Sequence, residues 1–329
     1  MEGIGGYFEL EIPRGKTLEP ALTFQSARAA IASLCLQTDV SRAWLPSFLC
    51  NTVADELQRV GIEVARYELQ SDLAPEPELT VHTDEAALIV NYFGVCRAQV
   101  ENGLNQLPSH RCIVDNSQAY GEPPSDCLGT VYSCRKFFGV PDGGLLMTNQ
   151  DVTEPTDLDN HSITRCEHLL RRLDREPEES LAAYRDAEHS LVGARHRRMS
   201  RLTRRLLAGI DYQTAYARRR DNFRAMNSLL GTVNNLHFND SVPTSPLTYP
   251  LLLNDGAADL RAALIDHRVF SPIYWPELLD SGRCQAAALA AKTVHIPIDQ
   301  RYEPSQLVER LHAIPAVKAL CLRRGQHVS

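Results

Sequence analysis

Residues 131–144 read VYSCRKFFGVPDGG and contain a single lysine, Lys136, followed by two phenylalanines and a proline–glycine turn. An apolar setting disfavours a charged ammonium, and a lysine that releases its proton is a nucleophile toward carbonyls and aldehydes. On its own, the pattern is also that of a solvated lysine that leaves a strand. A catalytic interpretation therefore needs a second group elsewhere in the chain.

An acid supplies that second group. Residues 112–121 read CIVDNSQAYG, in which Asp115 closes an apolar run and is followed by polar and small residues. An acid at the end of one strand and a lysine after the next are the pair that pyridoxal phosphate requires. The lysine forms a Schiff base with the cofactor, and the acid keeps the pyridine nitrogen protonated so that the ring can accept electrons. The two segments together predict a site for this cofactor, with Lys136 and Asp115 as its catalytic residues.

The same segments resemble the motifs of a known family. DNSQAYG, which starts at Asp115, is similar to the D-x-x-Q-A-x-G motif of the DegT/DnrJ/EryC1/StrS family of pyridoxal-phosphate sugar aminotransferases. SCRKFFGVPDGG resembles that family's S-x-x-K followed by a glycine pair. The resemblance covers residues 20–230 and is weak beyond them. It implies an aspartate aminotransferase-like fold (fold type I), an internal aldimine at Lys136, and a homodimer with shared active sites.

The segment FQSARAAIASLCL predicts a helix that begins after Ser26. Helix N-termini present free backbone N–H groups and a positive dipole to phosphates. The resemblance implies that Ser26, Ala27 and Arg28 bind the cofactor phosphate together with Ser133. Ala27 stands where the family has a glycine, and Arg28 adds a positive charge. An ordinary capped helix is the alternative that the residues leave open.

Two further residues are candidates for contacts with the cofactor ring. In LPSFLCNT, the resemblance points to Phe48 as the aromatic that stacks on the pyridine ring, with Cys50 as the alternative because the register of this segment is open. Gln118 matches the family glutamine that contacts the phenolic oxygen. A core phenylalanine and a turn glutamine bonded to its own backbone are the plain alternatives.

The basic segment 195–205, RHRRMSRLTRR, resembles the family's N-Y-R-M-S segment. The family asparagine reaches the phosphate in the neighbouring subunit, and its position falls on His196. The resemblance therefore makes His196 the candidate for this contact, with Arg197 and Arg198 as alternatives, since each can donate to a phosphate. A solvated basic helix is the other interpretation.

Apolar runs alternate with helical segments through the first part of the chain. This alternation is typical of βαβ units and predicts an α/β fold with a mostly parallel sheet flanked by helices. We expect residues 1–210 to form a large pyridoxal-phosphate-binding domain, and residues 211–329 an interdomain helix and a small C-terminal α+β domain. Within the latter, residues 247–253 and 269–274 are predicted strands. Tyr274, Trp275 and other late aromatic and polar groups are candidates to face the cleft, without an assigned role.

Composition excludes several classes of function. The chain has 329 residues and a formal net charge of −7, which does not suggest a nucleic-acid partner. No apolar run approaches the ~20 residues that span a bilayer, and the N-terminus lacks the pattern of a secretory signal. Nine cysteines without a C-x-x-C pair indicate reduced thiols in the cytoplasm and argue against a metal cluster.

The predicted function is amino transfer. The resemblance implies glutamate as amino donor and a keto group of a sugar nucleotide, or of a similar biosynthetic intermediate, as acceptor. One alternative is a cofactor-binding member that does not transaminate, either dehydratase-like or a regulatory sensor. Dehydratase members carry a histidine at the position of Lys136. The lysine in this chain therefore disfavours dehydration. A Rossmann nucleotide binder is disfavoured because no G-x-G-x-x-G follows the early strands.

Overall fold

A computed structural model of the chain describes residues 10–13, 15, 21–238, 243–282 and 284–322. Near the start of the chain, residues 1–9, 14 and 16–20 lie outside these ranges. Seven strands form one sheet in the order β1-β7-β6-β5-β4-β2-β3. Their bounds are β1 Leu22–Phe24, β2 Arg42–Pro46, β3 Glu63–Tyr67, β4 Glu85–Val90, β5 Cys112–Asp115, β6 Gly129–Ser133 and β7 Gly144–Met147.

The sheet is mostly parallel, as predicted. Every neighbouring pair from β6 to β3 is parallel, whereas β7 runs antiparallel to both β1 and β6. The connections from β2 to β3 and from β4 to β5 carry helices α2 and α3, because a parallel crossover needs a long connection, whereas β5 and β6 are joined by a loop at residues 116–128. The helices before the second sheet are α1 Ala27–Gln37, α2 Asn51–Arg59, α3 Arg97–Gln106, α4 Ser162–Arg165, α5 Glu167–Asp174, α6 Leu181–His189, α7 Arg201–Ala208 and α8 Tyr212–Leu230.

The central strand β4 shows why the sheet is covered on both faces. All six of its residues are buried. Successive side chains of a strand point to opposite faces. Leu88 and Val90 pack in the core cluster that contains residues of α1 and α2, whereas Ala87 and Ile89 pack in the cluster that contains Val100 of α3. The continuous apolar run in the sequence is therefore that of a strand buried on both faces.

A second, two-stranded sheet follows α8, with β8 at Thr248–Leu252 antiparallel to β9 at Thr293–Pro297. It has its own hydrophobic core, which begins at Phe223 in α8. The boundary that we predicted at residue 211 stays a prediction. The remaining helices are α9 Ala257–Asp266, α10 Cys284–Lys292, α11 Pro304–His312 and α12 Pro315–Leu322.

The prediction of a strand at residues 269–274 is wrong. This segment is irregular in the structure. Arg268 and Trp275, which flank it, both have a left-handed backbone with φ of 58°. A strand needs extended backbone, and Pro272 lacks the N–H that a ladder would use. The segment therefore crosses from α9 toward the large sheet as a loop.

Two further observations concern the whole of the described chain. Within the ranges given above, no helix has both the length and the apolar character needed to cross a membrane. The cysteines whose side chains are described are all free thiols.

Gly144, the second glycine of the motif, lets β7 approach the start of α1 closely. A Cβ atom at Gly144 would lie 2.3 Å from the carbonyl carbon of Ser26 and 2.5 Å from the backbone nitrogen of Ala27. These are backbone atoms, so they cannot rotate out of the way. The absence of a side chain at Gly144 thus places the N-terminus of α1 beside the strand that follows the lysine motif.

Substituting Gly144→Ala is expected to lower the free energy of unfolding by about 1–3 kcal/mol, because the added methyl overpacks a backbone contact. Urea unfolding monitored by circular dichroism measures the change. Gly139→Ala is the matched control, since a Cβ there meets nothing closer than Leu169 Cδ2 at 3.7 Å. Equal stability of the two variants would contradict the packing described here.

Candidate active site

A cavity of about 200 Å³ opens at the carboxyl ends of β5 and β6, beside the N-terminus of α1. Ligands of parallel sheets bind at this edge. Asp115 is the last residue of β5, and Ser133 is the last residue of the adjacent strand β6. The cavity brings most of the predicted site residues together, namely Ser26, Ala27, Arg28, Asp115, Gln118, Ser133 and Lys136.

Lys136 lies in a single 3₁₀ turn, Cys134–Lys136, directly after β6. Its side chain lines the cavity and is exposed in the isolated chain, with no hydrogen bond or ion pair to any described residue. The motif predicts apolar surroundings for the Lys136 side chain. Phe137 and Phe138 do not provide them, because both are buried in a separate cluster with Tyr120. The ammonium group is therefore available to a molecule in the cavity.

The chain contains only four lysines, at positions 16, 136, 292 and 318. Lys16 lies outside the described residues. Lys292 ends α10, Lys318 lies on α12, and neither lines the cavity. Among the described residues, Lys136 is thus the one amine that can attack a molecule bound there.

Asp115 is held in place by its own loop. The side chain is buried, with 6% of the residue exposed, and Oδ1 accepts a hydrogen bond from the backbone N–H of Ser117 at 2.8 Å. No described donor contacts the second oxygen, Oδ2. Asp115 therefore presents one carboxylate oxygen to the cavity in a fixed orientation.

Gln118 contributes an unpaired buried donor. Its Oε1 accepts a hydrogen bond from the backbone N–H of Phe93 at 2.7 Å, which fixes the amide, while Nε2 is buried and has no partner among the residues that the structure describes. Leaving a buried donor unpaired costs about 1–3 kcal/mol. An acceptor on a molecule bound in the cavity would satisfy Nε2, so the geometry fits the oxygen of a bound ring.

The start of α1 suits an anion. Ser26 caps the helix, its Oγ accepting from Ala29 N at 3.3 Å. Arg28 lines the cavity without a hydrogen bond or ion pair to the described residues. Burial and the neighbouring Arg135 guanidinium lower the pKa of Arg28. The helix N-terminus and this unpaired cation together form a place for a phosphate.

Phe48 does not line the cavity. Its ring is buried in the core, with ring centroids 5.4 Å from Tyr92 and 4.8 Å from Trp275. Leu49 and Cys50, the next two residues, line the cavity in its place. The geometry disfavours Phe48 as the stacking residue and favours the alternative register, in which Cys50 faces the ring.

His196 also lies outside the cavity. Its Nε2 is 2.5 Å from Oε1 of Glu56, and its Nδ1 is 3.4 Å from Oγ of Ser33. Within one chain, His196 therefore links the segment before α7 to α1 and α2. The predicted contact with the partner subunit's phosphate stays a prediction.

The contacts of Glu56 predict a pH dependence of stability. Burial opposes the charged form, but hydrogen bonds from His196 and Arg59 outweigh it and lower the pKa of Glu56 from 4.5 to about 2. A carboxyl with a depressed folded-state pKa stabilises the fold above the unfolded pKa, and this contribution disappears as the pH falls from about 4.5 through 2.

Glu56→Gln is therefore expected to lower the free energy of unfolding by roughly 2–3 kcal/mol at neutral pH and by much less near pH 3. Denaturant titrations of both proteins across this pH range measure the difference. Glu63→Gln is the control, because Glu63 forms only an exposed pair with Arg42. A wild-type-minus-variant difference that is independent of pH would rule out the predicted role of Glu56.

Several lining residues were missed or left unassigned from the sequence. Tyr274 and Trp275, which were candidates without a role, line the cavity. Arg135, adjacent to Lys136, and Glu188, on α6, were not identified. Arg135 could have been identified from the sequence, because it lies inside the lysine motif, directly before Lys136. For Glu188, no sequence signal exists, because only the folding of α6 over the cavity brings it there.

Comparison with solved structures identifies the fold of this chain. The sugar aminotransferase CalS13 from Micromonospora echinospora is 18% identical, with a TM-score of 0.58, and 89% of this chain and 87% of that chain align. A DegT DnrJ EryC1 StrS aminotransferase from Brucella abortus is 14% identical, with a TM-score of 0.61 and coverage of 94% and 87%. The PMP form of a putative sugar aminotransferase, Spr1654 from Streptococcus pneumoniae, is 12% identical, with a TM-score of 0.62 and coverage of 96% and 98%.

The chain has the fold of these aminotransferases over most of its length, which confirms the predicted fold class. Sequence comparisons give no further match. No protein-family model matches the chain, and no curated protein matches it in sequence.

Proposed function

We propose that this chain is a pyridoxal-phosphate-dependent aminotransferase of the DegT/DnrJ/EryC1/StrS family. It transfers an amino group from an amino acid, glutamate, to a keto group of a sugar nucleotide or a similar biosynthetic intermediate. The observation that carries the proposal is that Lys136, Asp115 and the N-terminus of α1 line one cavity. The fold shared with sugar aminotransferases supports it.

The residues present fit the cofactor at each of its polar groups. The start of α1, Ser133 and Arg28 offer donors and positive charge to the phosphate. Asp115 offers a carboxylate oxygen to the ring nitrogen. Gln118 Nε2, which has no partner within the described part of the chain, offers a hydrogen bond to the ring oxygen. When bound, pyridoxal phosphate supplies an electron sink that makes a proton on the substrate α-carbon acidic.

The chain's own groups would then have distinct roles. Lys136 would hold the cofactor through its Nζ, and the same amine would take the α-carbon proton as a base and return a proton as an acid. Because no described residue forms a hydrogen bond or ion pair with it, the amine is free to make both movements. The charge of Asp115 keeps the ring nitrogen protonated throughout, because a nearby negative charge favours the protonated form. Tyr274 and Trp275 cover one wall of the cavity and reduce the access of water.

The proposal includes a homodimer with shared sites. Lys136 is exposed in the isolated chain, which leaves that side of the cavity open to a second copy. Large apolar side chains are exposed on the segment between β7 and α7, including Ile163, Leu170, Leu173, Leu181 and Val192. Light scattering of the active protein tests this part of the proposal, and a fully active monomer would contradict it.

The test of the activity is a half-reaction. Purified protein is loaded with pyridoxal phosphate and mixed with glutamate in the absence of any acceptor. The proposal predicts the loss of the visible absorption of the bound cofactor, with one 2-oxoglutarate formed per site. A protein that binds the cofactor but forms no 2-oxoglutarate would support a non-transaminating member, dehydratase-like or regulatory. A protein that does not bind the cofactor would contradict the proposal entirely.

A further inference from the structure

Two arginines line the cavity close to one another, and only one of them has a partner. Arg135 Nη2 lies 2.8 Å from both carboxylate oxygens of Glu188. Arg28 has no such partner among the described residues. The two guanidiniums are near enough that the charge of Arg135 lowers the pKa of Arg28, second only to burial. Two carboxylates, those of Asp115 and Glu188, therefore line a site that also carries two guanidiniums and the ammonium of Lys136. Of the two carboxylates, that of Glu188 is the one in an ion pair with a cavity cation among the described residues.

Glu188 is the more accessible partner of this ion pair. Its side chain is 40% exposed, against 16% for Arg135. It comes from the last turn of α6, outside the sheet, whereas Arg135 is held in the turn that carries Lys136. The guanidinium thus has a fixed position in the cavity wall, while its carboxylate partner approaches from the solvent side.

An incoming carboxylate can replace that of Glu188 at little cost. Arginine presents a planar set of donors that matches a carboxylate, and the exchange keeps the number of charged hydrogen bonds unchanged. Breaking a partly exposed ion pair costs little, because water solvates the released carboxylate. The start of α1 and Arg28 remain available for the cofactor phosphate, so Arg135 is the cation that is left for the substrate.

We infer that Arg135 is a specificity-determining residue that binds a carboxylate of the substrate, and that Glu188 occupies it until the substrate arrives. This inference rests on the proposed function and adds to it the residue that recognises the carboxylate of the substrate. The chemistry recognised is that of an oxyanion, which either the substrate carboxylate or the cofactor phosphate can supply. The experiment separates these two sources.

The probe is succinate, a dicarboxylate that cannot transaminate, titrated calorimetrically into the cofactor-loaded protein. Arg135→Gln is expected to weaken succinate binding about tenfold or more, since a charged hydrogen-bonding partner is lost. Glu188→Gln is expected to tighten it several-fold, because the competing carboxylate is removed. Both variants should keep the wild-type Kd for pyridoxal phosphate within about twofold.

Two controls exclude a general effect of charge. Arg171→Gln removes an exposed arginine of α5, which pairs with Glu167 at 2.6 Å, and should leave succinate binding unchanged. In the double variant Arg135→Gln/Glu188→Gln, the tightening caused by Glu188→Gln should disappear. If the tightening persists there, Glu188 acts by long-range repulsion and the inference is wrong.

Other outcomes also overturn the inference. Weaker succinate binding in both single variants would mean that the pair only ties α6 to the turn. A raised Kd for pyridoxal phosphate in Arg135→Gln would assign the arginine to the cofactor phosphate. If succinate does not bind to the wild-type protein, the cavity has no carboxylate site and the inference is wrong. In each case the half-reaction with glutamate still reports separately on the proposed function.

Discussion

Lys136→Ala is expected to slow amino transfer from glutamate by on the order of 10²–10⁴-fold, the range that a positioned acid–base group contributes. Loss of the amine removes both the anchor of the cofactor and the group that moves the α-carbon proton. Stopped-flow measurement of 2-oxoglutarate formation in a single turnover gives the rate. The protein should remain folded, because the side chain makes no hydrogen bond or ion pair with the described residues.

The matched control is Lys318→Ala. Lys318 is exposed on α12 and does not line the cavity, so this variant removes the same charge without touching the site. It should transaminate at the wild-type rate. If Lys136→Ala retains the wild-type rate as well, the assignment of Lys136 is wrong.

Asp115→Asn has the second largest expected effect, a loss of rate on the order of 10²–10³-fold, comparable to the removal of one preorganised electrostatic contact. The amide oxygen can still accept the hydrogen bond from Ser117 N, so the loop should keep its shape. What is lost is the negative charge that favours a protonated ring nitrogen. The rate of the half-reaction with glutamate, compared with the Kd for pyridoxal phosphate, separates this loss from weaker binding.

Asp126→Asn is the control for Asp115→Asn. Asp126 is exposed and lies outside the cavity, on the loop between β5 and β6. Its substitution changes the net charge equally and should leave the rate unchanged. Equal rates for Asp115→Asn and the wild type would show that the carboxylate does not act on the ring.

The large sheet was predictable because its strands carry strong local signals. The apolar run of β4 is buried on both faces, and Ser26 caps α1 as its residue type predicts. The loop at residues 269–274 was predicted as a strand because its apolar residues are typical of a strand. The left-handed backbone at Arg268 and Trp275 departs from the extended conformation of a strand, and neither residue type predicts such a conformation.

The candidate site was predictable where motif residues end strands or start helices. Asp115, Ser133 and Ser26 meet because the sheet brings the ends of their elements to one edge. Phe48 was different, because its side chain lies in the core, whereas those of the next two residues, Leu49 and Cys50, line the cavity. The pairing of Arg135 with Glu188 depends on how residues 162–189 fold over the cavity, which residue types alone do not determine.

The central claim is that Lys136 holds the cofactor covalently. Four lysines in the chain make the claim easy to test. Protein loaded with pyridoxal phosphate is reduced with borohydride, digested, and mapped by mass spectrometry. We expect one phosphopyridoxyl group per chain, on the peptide that contains Lys136. A label on the peptide of Lys16, Lys292 or Lys318, or bound cofactor that leaves Lys136 unlabelled, would contradict it.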